Sequence, residues 1–309
     1  MTLIQPPMMT NGGTHPARTM RMMIRDLSRG AQGVTEYNDL RVSQQTTPGA
    51  GVQISDGSGI VRGAAWGQGS YTQYNVGTAL VSIAPTGATP RTDMVVLRVL
   101  DPEYEGSLNP ATDDIGFFDV VSNVSAAATQ PPSGMTAIPL ARIALPVNCA
   151  TVTDAMITDL RRIANPRRER QLYTAFPSAL AQLTYSDNQW HRWPGAANWS
   201  IVVPSWAVSA KIVTTIAGLR LTTANVYAHM QQCFGTVTGQ DTAIDDDQGT
   251  GTRRNTVVIA DSMAIPWQMR GSSQNLYLQT YMSRSDTGNL GVDGSTSLIA
   301  DVEFEEGVI

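Results

Sequence analysis

Along the second half of the chain, apolar and polar residues alternate with a period of two. Leu276, Leu278, Thr280 and Met282 fall on one side of a strand, and Tyr277, Gln279 and Tyr281 on the other. Leu298, Ala300, Val302 and Phe304 likewise oppose Ile299, Asp301, Glu303 and Glu305. Val208, Ala210, Ile212, Thr214 and Ile216 make a third such set, and Val226, Ala228 and Met230 a fourth. Residues 256–260 read as a fifth strand. One apolar and one polar face per strand predicts antiparallel sheets with a wet side, hence a β-sandwich of jelly-roll type.

The first half has a different texture. Met20, Met23, Ile24 and Leu27 recur at helical spacing, with Pro16 before them and Gly30 after, so a helix is expected over 17–29, with a strand as the alternative. Residues 1–16 read as an extended arm. Val52 and Ile54, then Asp56-Gly57, then residues 59–62 read as a hairpin. Residues 78–83, 117–121 and 138–145 read as further strands, and 94–100 is apolar enough for a strand buried on both faces. Residues 123–134 read as a long loop. Thr153, early acids and late arginines predict a short helix over 153–163. Another is expected within 172–183, interrupted at Pro177. The expected organisation is a β-rich domain over 1–165 with one or two short helices, a linker over 166–185, and a sandwich over 186–309.

Composition adds one constraint. Of 309 residues only 15% are charged, below the usual ~25%. The surface must therefore lean on hydroxyl and amide side chains. A net charge of −5 offers no general attraction to nucleic acid or to anionic membranes. No basic region followed by an apolar stretch opens the chain, and no run approaches the ~18 apolar residues of a membrane span. The expectation is a chain made in the cytoplasm, with no membrane insertion. Cys149 and Cys233 read as two buried free thiols rather than a disulfide.

Catalytic and metal patterns are weak. His15, His191 and His229 lack ligand spacing, and Asp245-Asp246-Asp247 lacks the ligand pattern of a calcium hand, so no metal or cofactor is expected. Residues 241–255 read as an exposed loop. Asp101, Glu103 and Glu105 suit a solvated loop or an intersubunit ion pair better than a hydrolytic pair across a cleft. Arg161, Arg162, Arg167, Arg168 and Arg170 suit salt bridges at an interface. Trp190, Trp193, Trp199 and Trp206 crowd one stretch. They read as core or, where exposed, as a sugar-stacking platform.

Five segments then carry a resemblance. They are Thr10-Asn11-Gly12-Gly13-Thr14-His15-Pro16; Arg25-Asp26-Leu27-Ser28-Arg29-Gly30-Ala31-Gln32-Gly33-Val34; Pro48-Gly49-Ala50-Gly51-Val52; Arg91-Thr92-Asp93-Met94-Val95-Val96 with Asp101-Pro102-Glu103-Tyr104-Glu105-Gly106; and Ile138-Pro139-Leu140-Ala141-Arg142-Ile143. In this order they resemble the N-terminal assembly module of minor tail and baseplate proteins of long-tailed actinobacterial phages. The resemblance implies a non-enzymatic virion component. It would be a homotrimer attached to other tail proteins, assembled in the host cytoplasm, with a distal domain facing host cell-wall glycan. Arg21, Arg25, Arg161, Arg162, Arg167 and Arg168 are the expected subunit-contact residues. Trp190, His191, Trp193, Trp199, Tyr277 and Tyr281 are the expected glycan contacts. A virion polysaccharide depolymerase and a capsid-decorating fibre are the alternatives.

Overall fold

A computed structural model of the protein describes residues 16–183, 187–283 and 288–308. The expected N-terminal arm and the motif containing His15 lie outside the described residues, save Pro16. The protein is mainly β, with antiparallel sheets throughout. Two compact units divide it. One closes at Pro166 and takes in Val308; the other spans Arg167–Gly307.

The first unit opens with helix α1 (Ala17–Leu27). Its end is set by Gly30, whose N–H reaches Arg25 O at 2.8 Å with φ at 72°, a conformation glycine adopts freely. The strands that follow are β1 (Gly33–Val34), β2 (Val42–Gly49), β3 (Gly51–Ile54), β4 (Gly57–Arg62) and β5 (Ser70–Asn75). Then come β6 (Ala79–Ser82), β7 (Arg91–Val99), β8 (Gly116–Val121), β9 (Ala137–Leu145) and β10 (Ile157–Asp159). They form three sheets, ordered β1-β4-β5, β2-β3-β6 and β10-β9-β7-β8. β7 is interior and apolar on both faces, as expected. Val95, Leu97 and Val99 join the main core of the unit, and Met94 and Val96 fill a smaller one behind.

Two local expectations fail here. Residues 52–62 are not a hairpin: β3 pairs with β2 and β6, while β4 pairs with β1 and β5. Gly57, at φ 139°, turns the chain from one sheet into the next. A Cβ there would stand 2.5 Å from Asp39 Cα. Residues 153–163 are not a helix either. A single 3-10 turn (Asp154–Met156) leads into β10, which extends the sheet along β9. The open edge of β9 offers ladder hydrogen bonds, and Thr153 makes no capping bond that would favour a helix.

The second unit contains β11 (Arg168–Ala175), β12 (Ala181–Gln182), β13 (Trp190–Arg192), β14 (Asn198–Val202), β15 (Ser209–Thr222) and β16 (Val226–Phe234). It continues with β17 (Val237–Asp246), β18 (Arg253–Ala264), β19 (Ser273–Met282), β20 (Asn289–Val292) and β21 (Ser297–Glu305). One sheet runs β11-β21-β15-β20-β12, with β18 on the other edge of β15. The second runs β13-β19-β16-β17, with β14 also on β19. The predicted alternation holds: Leu276, Leu278, Thr280 and Met282 are buried, as are Leu298, Ala300, Val302 and Phe304. The two inner faces meet in one core, where the rings of Phe234 and Phe304 lie 6.2 Å apart across the sheets.

Residues 172–183 are not helical. β11 pairs with β21 over its whole length, so part of the expected linker is a sheet strand. Residues 241–255 are not one loop. They include the end of β17 and the start of β18, and only 247–252 lie between the strands. Cys149 and Cys233 are buried free thiols, one in each unit.

Candidate functional site

The outer face of the β13-β19-β16-β17 sheet gathers the aromatic residues that do not enter the core. Register explains this. Trp190 lies opposite Tyr281, which lies opposite His229; Arg192 follows with Gln279 and Gln231, and Asn198 with Tyr277. Because side chains alternate along a strand, all of these project from one face. Trp190 and Tyr281 stand 5.8 Å apart. His229 meets Tyr281 edge-on at 5.8 Å and Tyr227 edge-on at 5.1 Å. The result is a ridge of four rings across three strands.

Polar groups hold the ridge. His229 Nδ1 lies 2.9 Å from Asp241 Oδ2, and its Nε2 lies 3.1 Å from the Tyr227 hydroxyl. Gln231 donates to Gln279 at 2.8 Å. Arg192 lies 4.4 Å over the Tyr277 ring and donates to Asn198. Burial, with Cys233 alongside, pushes the Tyr277 phenol upward. Burial also pushes the Cys233 thiol up. The face thus offers ring surfaces with amides, a phenol and a guanidinium at their edges. That chemistry suits a polyhydroxylated ligand, which presents C–H faces and hydroxyl edges together.

Not every expected glycan residue reaches this face. Trp193 and Trp199 are each only 7% exposed and pack in the sandwich core, so the tryptophan stretch is not a single platform. Trp199 points inward because it shares strand parity with Ile201. Trp190 is 38% exposed. His191 is half-buried and pairs with Asp187 at 2.9 Å; that bond, against a weaker effect of burial, lowers the Asp187 pKa. Nothing in the sequence pattern read above points to Tyr227, Arg192 or Gln231, and His229 is weighed there only as a metal ligand. Tyr227, His229 and Gln231 carry the polar parity of β16, opposite the apolar set Val226, Ala228 and Met230, and Arg192 shares the parity of Trp190 on β13.

The expected interface arginines behave differently from one another. Arg161 is 3% exposed, pairs with Asp159 at 2.7 Å and donates to the carbonyls of Tyr37 and Asp39. It ties the unit together internally and is not placed for a partner. Arg21 is also spoken for, with Asp101 at 3.2 Å and Glu103 at 2.5 Å. Asp101 also accepts from the Tyr71 hydroxyl at 2.7 Å, and burial with that bond raises the Tyr71 pKa strongly. Glu105 pairs with Arg98 at 2.7 Å. The acidic turn is therefore an intrachain ion-pair cluster rather than a solvated loop. Arg167 pairs with Glu306, Arg168 with Glu305 and Arg170 with Asp301, all within the second unit. Arg25 and Arg162 remain at the surface of the first unit, Arg25 against Trp66 at 5.7 Å.

No cluster of three or more potential metal ligands occurs among the described residues. No helix among them is long and apolar enough to cross a membrane.

No family model matches the chain, and no curated protein matches it. Among solved structures, the infectious bursal disease virus VP2 subviral particle aligns at TM-score 0.27 and 12% identity, covering 91% of this chain and 77% of that one. The infectious bursal disease virus Gx strain structure aligns at TM-score 0.27 and 11% identity, over 90% and 74%. The insecticidal delta-endotoxin Cry8Ea1 of Bacillus thuringiensis aligns at TM-score 0.24 and 11% identity, over 90% and 52%. Similarities this low assign neither a family nor an activity to the chain.

Proposed function

We propose that the chain is a structural subunit of a phage tail tip or baseplate, assembled as a homotrimer. Its first unit attaches to the tail, and its second offers a sheet face to host-surface glycan. The five sequence segments, in their order from Thr10 to Ile143, support the attachment half of this reading. The ridge of Trp190, Tyr281, His229 and Tyr227, with amides at its edges, carries the glycan half. A single shallow face of this kind binds weakly, so three copies on one trimer supply the avidity a virion needs. Engagement of Asp101, Glu103 and Glu105 by arginines or a phenol favours this reading over a depolymerase, which needs one free carboxylate pair across a cleft.

Negative-stain imaging of the virion with a labelled antibody tests the location. Label at the tail tip is expected; label on the capsid surface supports the capsid-fibre alternative instead. Light scattering of the purified chain tests the trimer, and a monomer at micromolar concentration counts against it. A pulldown on host wall material tests the glycan half.

A further inference from the structure

We propose that a groove in the first unit docks an acidic segment of another protein chain. The choice of a protein partner rests on reading this unit as an attachment module; the anionic chemistry comes from the groove itself. Two adjoining clefts form it. The larger, of about 530 Å³, is lined by Arg25, Arg62 and Trp66. The smaller, of about 140 Å³, is bounded by Arg162. Both are lined by Gln32 and Gln130, so the two clefts adjoin.

Its three arginines differ from their neighbours. Arg21, one turn earlier on α1, is neutralised by Asp101 and Glu103, and Arg161, one residue before Arg162, by Asp159. Among the described residues, no carboxylate forms an ion pair with Arg25, Arg62 or Arg162. Arg62 donates to the Gly30 carbonyl at 3.3 Å, and Arg25 lies over the Trp66 ring. Trp66 is itself 70% exposed, an unusual position for so large an apolar surface. Pro131 and Pro132 also line the larger cleft and have no N–H to donate, and Arg25 and Arg62 are the charged donors among its lining residues.

Planar guanidinium groups grip carboxylates through two parallel hydrogen bonds. Three of them along a groove suit several carboxylates on one extended chain better than a single small anion. Trp66 then receives an apolar side chain between the acids. The groove is pinned in advance. Val34 N–H donates to Arg162 O at 2.8 Å and Ala164 N–H to Val34 O at 2.9 Å, while Gly30 closes the helix that carries Arg25. Such pre-organisation lowers the entropic cost of docking. A nucleic acid fits less well: the chain is acidic overall, and the groove offers one exposed ring rather than a series for base stacking.

The test uses the full chain and fluorescence anisotropy with three labelled probes. They are a short peptide alternating glutamate with leucine, its glutamine counterpart, and single-stranded DNA. The glutamate peptide is expected to bind, to weaken as salt rises, and to bind about tenfold or more tightly than the glutamine peptide. Combined Arg25→Gln, Arg62→Gln and Arg162→Gln should weaken it about tenfold or more. Arg41→Gln, in a separate cleft, should not change it. Trp66→Ala, a change at a largely solvated side chain, should weaken it severalfold and serves if the triple variant does not fold. Absent glutamate-peptide binding, equal binding of the glutamine peptide, tighter binding of the DNA, or undiminished binding by the arginine and Trp66 variants would each overturn the proposal. Virion label found away from the tail would instead sink the tail reading and leave this measurement standing.

Discussion

Gln232 and Asp261 join the two sheets of the sandwich: the Gln232 side-chain amide donates to the Asp261 carboxylate at 2.6 Å. Gln232 is fully buried. It also accepts from the Thr214 hydroxyl at 2.7 Å and donates to the Ile212 carbonyl at 3.1 Å. The other Asp261 oxygen accepts from Gln240 N–H at 3.0 Å. One amide therefore bonds three groups beside the apolar core: the Asp261 carboxylate, the Thr214 hydroxyl and the Ile212 carbonyl. Gln232→Leu should cost about 2–4 kcal/mol, because it strands a hydroxyl and a carboxylate oxygen. Gln232→Glu should cost more at neutral pH, by placing two carboxylates together, and recover partly in acid. Urea unfolding of both variants checks this; a Gln232→Leu variant as stable as wild type would show the network to be dispensable.

Gly33 is a second point of constraint. Its φ is 142°, and a Cβ there would stand 2.0 Å from the Arg162 carbonyl oxygen. Backbone on both sides leaves nothing flexible to yield. Gly33→Ala should therefore destabilise the first unit by about 3 kcal/mol or more and separate the 33–34 and 162–164 segments. The nearby Gly30→Ala change meets no atom within 4 Å and should cost only the strain of its positive φ, about 1 kcal/mol. Similar melting temperatures for the two variants would contradict this ranking.

Acid sensitivity of the second unit follows from its carboxylates. Burial pushes the Glu306 pKa up, but bonds from the Arg167 guanidinium and N–H pull it below the ordinary value. The Arg170 bond lowers Asp301, and the Gln248 N–H, then Arg253, lower Asp246 against burial. Each group has a folded pKa below its unfolded one. Its stabilisation is therefore complete above the unfolded value of about 4 and is lost as pH falls through the folded value. The melting temperature should be level above about pH 5 and drop below about pH 4. Arg167→Gln should move the Glu306 titration upward, as read by NMR; an unmoved titration would remove Arg167 as the cause.

The strands of the second unit were legible because each shows one buried and one wet face, as in residues 276–282 and 298–305. Their partners were not legible. β11 finds β21 more than a hundred residues away, and no local pattern in Arg168–Ala175 announces that pairing. The same blindness misread 153–163, where local helix signals lost to the free edge of β9. It also put Trp193 and Trp199 beside Trp190, since closeness in sequence says nothing of which face a strand residue takes. The consequence is testable with fragments. A piece spanning 167–307 retains β11 and β12 and should melt cooperatively; one spanning 186–307 loses both and should be markedly less stable. Equal melts would mean that β11 contributes little to the sandwich.

The aromatic residues of the second unit should separate into two groups on mutation. Trp193 and Trp199 are core residues, so replacing either by alanine should cost about 3–5 kcal/mol and reduce any binding only by unfolding. Trp190, Tyr281 and Tyr227 sit on the outer face, where truncation opens no cavity. Their alanine variants should keep the wild-type melt and lose adsorption to host wall material. Loss at Tyr281 should be the largest, because its ring touches both Trp190 and His229 and its removal breaks the ridge in the middle. His229→Gln should bind more weakly than wild type, since the bonds to Asp241 and Tyr227 that orient both side chains would be altered. Arg192→Gln tests the far end of the face, over Tyr277. Folded Trp190→Ala and Tyr281→Ala variants that adsorb as well as wild type would remove this face from host contact, leaving the second unit as an adaptor for another protein.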